Sequence, residues 1–220
     1  MKSNRILSVL FAISLVLFIL TAAIALPIYI RPFYYLHIEA MGLPEYVGLS
    51  AAQIREGYDA ILDYLTLPGR PFSAGVFAYS PEGEAHFADC KVLFDLNRNV
   101  LLSSGGALVL LALLRITKKA GPYRLGKRSA AFWASILALI LPLVLGSLAA
   151  LDFDRAFVIF HSLFFPGKDN WIFDGRYDEI IRVLPQDFFM HCAMLIGGGL
   201  LIFSLGILIF AGIRDKNRKY

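Results

Sequence analysis

Apolar residues in this chain come in four long blocks, running from about Ile6 to Ile30, Val100 to Ile116, Ala130 to Leu151 and Phe188 to Ile213. Each is near the ~20 residues that carry a helix across the hydrocarbon core of a bilayer. The pattern predicts four transmembrane helices in a single integral membrane domain over residues 1–220. The stretches 31–98 and 152–187 between blocks are too long to be simple connections and should fold.

Within the first of these loops, Ser50 followed by Gln53 is a capping-box pattern, and Ile54, Tyr58, Ile61, Leu62 and Leu65 then recur at helical spacing. The reading is an amphipathic helix across the membrane surface, ending before Pro68. Val76, Phe77 and Tyr79 read as a short strand, with Ser80-Pro81-Glu82-Gly83 as a turn returning through Ala85 to Ala88, so a small β-hairpin is expected. In the second loop, a helix starting near Asp152 or Asp154 places Phe157, His161 and Phe165 on one stripe, and Pro166-Gly167 stops it. The predicted fold class is therefore all-α membrane: four transmembrane helices with an extracytoplasmic cap containing an amphipathic helix and a small β-hairpin.

Charge adds an orientation. The N-terminus, the link from Arg115 to Arg128 and the C-terminus hold 12 basic residues and one acid, Asp215, whereas the two long loops hold 9 basic and 16 acidic residues. The positive-inside rule then puts both termini in the cytoplasm and both long loops outside. A cleavable signal peptide over residues 1–26 is the competing reading, but the apolar run of about 25 residues exceeds the ~7 to 15 of a signal h-region, so a retained helix is expected. Composition agrees, with 58% hydrophobic and 17% charged residues. The net charge of +4 is a topology signal suited to anionic headgroups and calls for no nucleic-acid partner.

The candidate chemistry lies in the outward loops. His86 and His161 sit one in each, and they converge if the four helices bundle; imidazole is the side chain best suited to accept and return a proton near neutral pH. A histidine that merely hydrogen-bonds within its loop fits the same spacing. Asp89, Asp152, Asp154, Asp169 and Asp174 are the acids placed to orient an imidazole, Trp171 fits an interfacial anchor, and His37 and His191 read as interfacial residues without a partner. No HExxH, CxxC pair or i, i+4 histidine pair points to a metal, and no Gly-rich phosphate loop or GxSxG nucleophile motif is present. Cys90 and Cys192 are expected to be unpaired thiols.

The stretch His86-Phe87-Ala88-Asp89-Cys90-Lys91-Val92-Leu93, together with Phe160-His161-Ser162-Leu163-Phe164-Phe165, Asn170-Trp171 and Phe173-Asp174, resembles the bacterial lipoprotein intramolecular transacylase family of small four-span membrane proteins. Cys90 stands where an aliphatic residue is expected. The resemblance implies an acyltransferase of the bacterial cytoplasmic membrane whose active site faces outward. Its partners would be membrane lipid and lipoproteins carrying a diacylglyceryl-modified N-terminal cysteine; the sn-2 acyl chain moves to that cysteine's own α-amino group and leaves a lyso-form lipoprotein. It implies His86 and His161 as the catalytic pair, Asp89, Lys91, Phe157, Phe165, Asn170, Trp171 and Asp174 around the substrate, and no metal or cofactor; nothing specifies an oligomer. A membrane metalloenzyme is one alternative, and a non-enzymatic lipid-binding or envelope-sensing protein is the other. Against it, the cytoplasmic segments are too short for an output domain and the polar, histidine-bearing residues lie outside.

Overall fold

The structure, a computed structural model, describes residues 3–217, apart from the side chains at positions 141, 145, 148 and 150. Among the described residues, eight α-helices run in the order α1 (Arg5–Tyr29), α2 (Arg31–Ala40), α3 (Leu43–Val47), α4 (Ala51–Thr66), α5 (Pro81–Ile116), α6 (Ala130–Leu151), α7 (Phe153–Phe164) and α8 (Gln186–Asn217). Strands β1 (Arg124–Leu125) and β2 (Arg128–Ser129) lie between α5 and α6, and a 3₁₀ turn spans Glu179–Arg182. Helices α1, α5 and α8 are long and apolar enough to cross a membrane. The remaining apolar block, the third along the chain, is also helical, as the 22 residues of α6.

The chain divides into two compact units. The first comprises the described residues within 1–26, 97–148 and 195–220 and holds the apolar stretches of the long helices. Its core gathers Leu15, Ile19 and Ala23 of α1, Ala134 and Ala138 of α6 and Leu200 of α8. Small residues permit close approach here: a Cβ on Gly199 would lie 2.6 Å from Leu26 Cδ1. At one end the β1–β2 hairpin pairs Arg124 with Ser129 and Leu125 with Arg128 around Gly126, which takes a φ of 64°. Buried Asp215 accepts the Ser129 amide at 2.7 Å.

The second unit comprises 27–96 and 149–194. Helix α4 carries the expected capping box, Ser50 Oγ accepting the Gln53 amide and the Gln53 side chain accepting the Ser50 amide. Its apolar stripe, Ile54, Tyr58, Ile61, Leu62 and Leu65, is buried in this unit's own core rather than presented to lipid. Tyr34 of α2 stacks on Tyr58 at 3.8 Å and donates its hydroxyl to the Val183 carbonyl at 2.7 Å. Arg31 of α2 pairs with Asp59 at 3.0 Å and with Asp63.

The hairpin expected over residues 76–88 does not form. Ser80-Pro81 opens helix α5 instead: Ser80 Oγ accepts the Gly83 amide at 3.0 Å, the Ser80 carbonyl accepts the Glu84 amide at 3.0 Å, and Pro81 occupies the first helical position, where its missing N–H costs nothing. Ser-Pro serves a turn and a helix start equally well, so local chemistry alone did not separate them. His86, Asp89 and Lys91 consequently stand on a helix. Only the later part of α5 is apolar; residues 81–96, with Glu82, Glu84, Asp89, Lys91 and Asp95, belong to the second unit.

Candidate active site

Helix α7 starts where its N-cap dictates. The Asp152 carboxylate accepts the Arg155 amide at 2.9 Å, and that start sets the phase of the helix. His161 turns inward and is 7% exposed, while Val158, Ile159, Phe160, Leu163 and Phe164 stay exposed. On the second turn of α5, His86 is 5% exposed. The two imidazole centroids are 5.8 Å apart and their planes differ by 32°. The sequence-predicted pair is thus brought together.

Aromatic rings enclose it. Phe165 lies 4.9 Å from His86 and 5.7 Å from His161. Trp171 stacks on His161 at 4.5 Å and 24°, and Phe157 sits 4.3 Å from the same ring. Phe173, not among the expected site residues, packs 5.4 Å from His86 and stacks on Phe87. Trp171 is therefore a wall of the site, its indole N–H donating to the Lys168 carbonyl at 3.1 Å.

The hydrogen bonds define what each imidazole can do. His161 Nδ1 is 2.8 Å from the Phe157 carbonyl oxygen. A carbonyl can only accept, so Nδ1 carries the proton and Nε2 keeps a free lone pair. Burial lowers the pKa of His161, opposed by its bond to the Phe157 carbonyl, so the ring is neutral at pH 7. His86 Nε2 lies 3.4 Å from Cys90 Sγ, and its Nδ1 is buried without a partner. Cys90 is a free thiol in contact with a candidate catalytic ring, a role its spacing of four residues from His86 makes legible once both stand on a helix.

Asp89 joins the site by accepting hydrogen bonds from Lys168 Nζ at 2.5 Å and Asn170 Nδ2 at 3.1 Å. Two other expected residues are engaged elsewhere. Lys91 donates to the Tyr64 and Leu67 carbonyls at 2.5 and 3.3 Å, where α4 ends. Asp174 is chelated by Arg176, with Nε 3.0 Å from both carboxylate oxygens, which holds it down to about 2. Asp174→Asn should accordingly leave turnover within about threefold of wild type, as rates measured on purified protein would show. His37 and His191, read as unpartnered, face one another at 4.9 Å between Phe33 and Phe188.

A helical membrane protein whose second unit closes aromatic rings around two buried imidazoles is the class defined by this fold and site. Residues 9–189 match the family model of the lipoprotein intramolecular transacylase, and the chain belongs to that family. It is similar to the membrane-integral lipoprotein intramolecular transacylase of Bacillus cereus, at 26% identity and a TM-score of 0.86 over 98% of each chain. Structures of that protein with one histidine replaced match at 25% identity: the arginine variant with TM-score 0.79 over 98% of this chain and 93% of that one, the alanine variant with 0.80 over 98% and 94%. An uncharacterised protein of Aquifex aeolicus (strain VF5) is 32% identical over 99 residues, and this chain spans 44% of its length.

Proposed function

We propose that this protein transfers the sn-2 acyl chain of a diacylglyceryl-modified lipoprotein to the α-amino group of the same N-terminal cysteine, with His86 and His161 moving the protons. The observation that carries the reading is a family membership coinciding with two buried imidazoles 5.8 Å apart.

The chemistry suits the donors present. An α-ammonium with a pKa of ~7.7 to 8.0 must lose one proton to become a nucleophile and a second as its C–N bond forms. The ester C–O bond then breaks, and the departing alkoxide takes a proton. One imidazole receives the first proton and delivers it to the alkoxide; the other receives the second and releases it to water. The sum is ammonium plus ester giving amide, alcohol and one proton. Because donor and acceptor share one molecule, orientation supplies much of the rate, and well-aligned intramolecular reactions gain ~7 to 11 kcal/mol this way. Phe157 and Phe165 suit the task of holding acyl chains beside the rings and keeping water out.

We further propose that α6 is the fourth span, that both termini are cytoplasmic and that the histidine pair faces outward, on the strength of the 12 basic residues gathered in the termini and the Arg115–Arg128 link. A fluorescent protein fused after Tyr220 should then fluoresce, whereas alkaline phosphatase activity of a fusion there would invert the topology.

Mass spectrometry of a diacylated lipoprotein incubated with the purified protein tests the reaction. Intramolecular transfer leaves the total mass unchanged, removes reactivity toward amine reagents and places one acyl chain on the N-terminal fragment. A product that gains the mass of a second acyl donor, or stays amine-reactive, would overturn it.

A further inference from the structure

Asn170 brings two unusual features together. Its Nδ2 donates to Asp89 Oδ2 at 3.1 Å, which fixes the flip of the amide and turns Oδ1 the other way. That Oδ1 is buried and has no partner. So is His86 Nδ1, and the Asn170 side chain lies within interaction range of the His86 ring. Buried polar atoms without partners are rare in folded proteins, and each one calls for an explanation. Here two such atoms belong to side chains that interact with each other.

The anchor behind Asn170 is itself held. Asp89 stands one helical turn after His86, and Lys168 occupies its other oxygen at 2.5 Å. The titratable and charged groups around His86 are Asp89 and Cys90 on its own helix, His161 on α7 and Lys168 in the following loop. Asp89 is the carboxylate in this set, and it reaches the imidazole through the Asn170 amide. Nothing comparable backs His161, whose Nδ1 rests on a backbone carbonyl.

We propose that Asp89 is a positioning residue that acts through Asn170 to make His86 the acid of the pair. When His86 takes the ammonium proton on Nε2, its Nδ1–H closes onto Asn170 Oδ1; the amide, polarised by Asp89 at its other end, stabilises the imidazolium until the proton passes to the sn-2 alkoxide. Catalytic hydrogen bonds commonly tighten this way only once substrate is bound. His161, with a free Nε2, is left as the base. The proton taken from the ammonium is the one delivered, so no outside reactant enters.

The inference rests on the transacylase reading, and wild-type conversion of a diacylated lipoprotein tests that reading separately. For the inference itself, Asp89→Asn, Asn170→Ala and the double variant of the full chain are compared in lipid for kcat, KM and pH profile. Asp89→Asn should lower kcat about 10- to 100-fold with KM changed less than about threefold. His86, which burial already lowers to about 4, should take up its own proton at still lower pH once Asp89 no longer supports it, so the acid limb should extend toward lower pH. The double variant should be no slower than Asn170→Ala alone, since both act along one chain of contacts, and Asp89→Glu should recover most of kcat. If Asp89→Asn does not fold, Asn170→Ala carries the test. An unmoved pH profile in a folded variant, or additive losses in the double variant, would overturn the proposal.

Discussion

Replacing either His161 or His86 by alanine should lower lyso-lipoprotein formation by about 10²- to 10⁴-fold, the span that positioned acid–base catalysis contributes. The two losses should not add, because a proton that is taken up but not delivered completes no turnover. His161→Ala removes the imidazole of the pair whose tautomer is fixed by a backbone carbonyl, with Nε2 open to the substrate. The wild-type pH profile should carry the same signature. Burial lowers His161, so it stays unprotonated at pH 7 and can still accept a proton somewhat below the ordinary imidazole value of ~6.5. Activity should therefore persist to slightly acidic pH and fall as that lone pair fills. Quantifying amine-blocked product across a pH series settles both points, and a folded His161→Ala protein with undiminished conversion would remove that residue from the mechanism.

The parts of this site that sequence exposes are those written locally. Ser50 and Gln53 meet across one turn, and Asp152 caps the helix that sets Phe157, His161 and Phe165 in line, so spacing alone reveals them. The convergence of His86 with His161 was conditional on tertiary packing, and the family resemblance singled the pair out. What spacing could not reveal is held by long-range contacts: Lys168 and Asn170 reach Asp89 from 79 and 81 residues away. The error at residues 76–88 has a different origin. Alternating Val76, Phe77 and Tyr79 before Ser-Pro satisfies a strand rule, whereas His86, Cys90 and Phe94 at four-residue intervals satisfy a helix rule, and the helix continues directly into an apolar span. The pairing of His37 with His191 was illegible because a lone histidine carries no periodicity.

Gly83→Ala should be the most damaging change outside the histidines, although it adds one methyl group. A Cβ at this position would lie 2.2 Å from Asp178 Oδ1, 3.0 Å from its Cγ and 3.3 Å from Phe173 Cε1. Asp178 is buried at 5% exposure and cannot simply retreat. Its carboxylate accepts the Ser80 amide at 2.8 Å and the Ser80 hydroxyl at 2.9 Å, and Ser80 Oγ in turn accepts the Gly83 amide. The methyl group thus strikes the anchor of the helix start that carries His86 one turn later. Leaving a buried acceptor without its donors costs about 1 to 3 kcal/mol, and more when the group is charged. Phe173, pushed by the same methyl, would leave its contacts with His86 and Phe87. The expected result is a lower unfolding midpoint together with a loss of turnover larger than the loss of folded protein. Gly106→Ala is the matched control, since a Cβ there meets nothing within 4 Å and alanine favours a helix by roughly 1 kcal/mol over glycine. Thermal unfolding and product formation measured on both variants decide it: a Gly83→Ala protein as stable and active as the Gly106→Ala control would mean that the start of α5 does not hold the site.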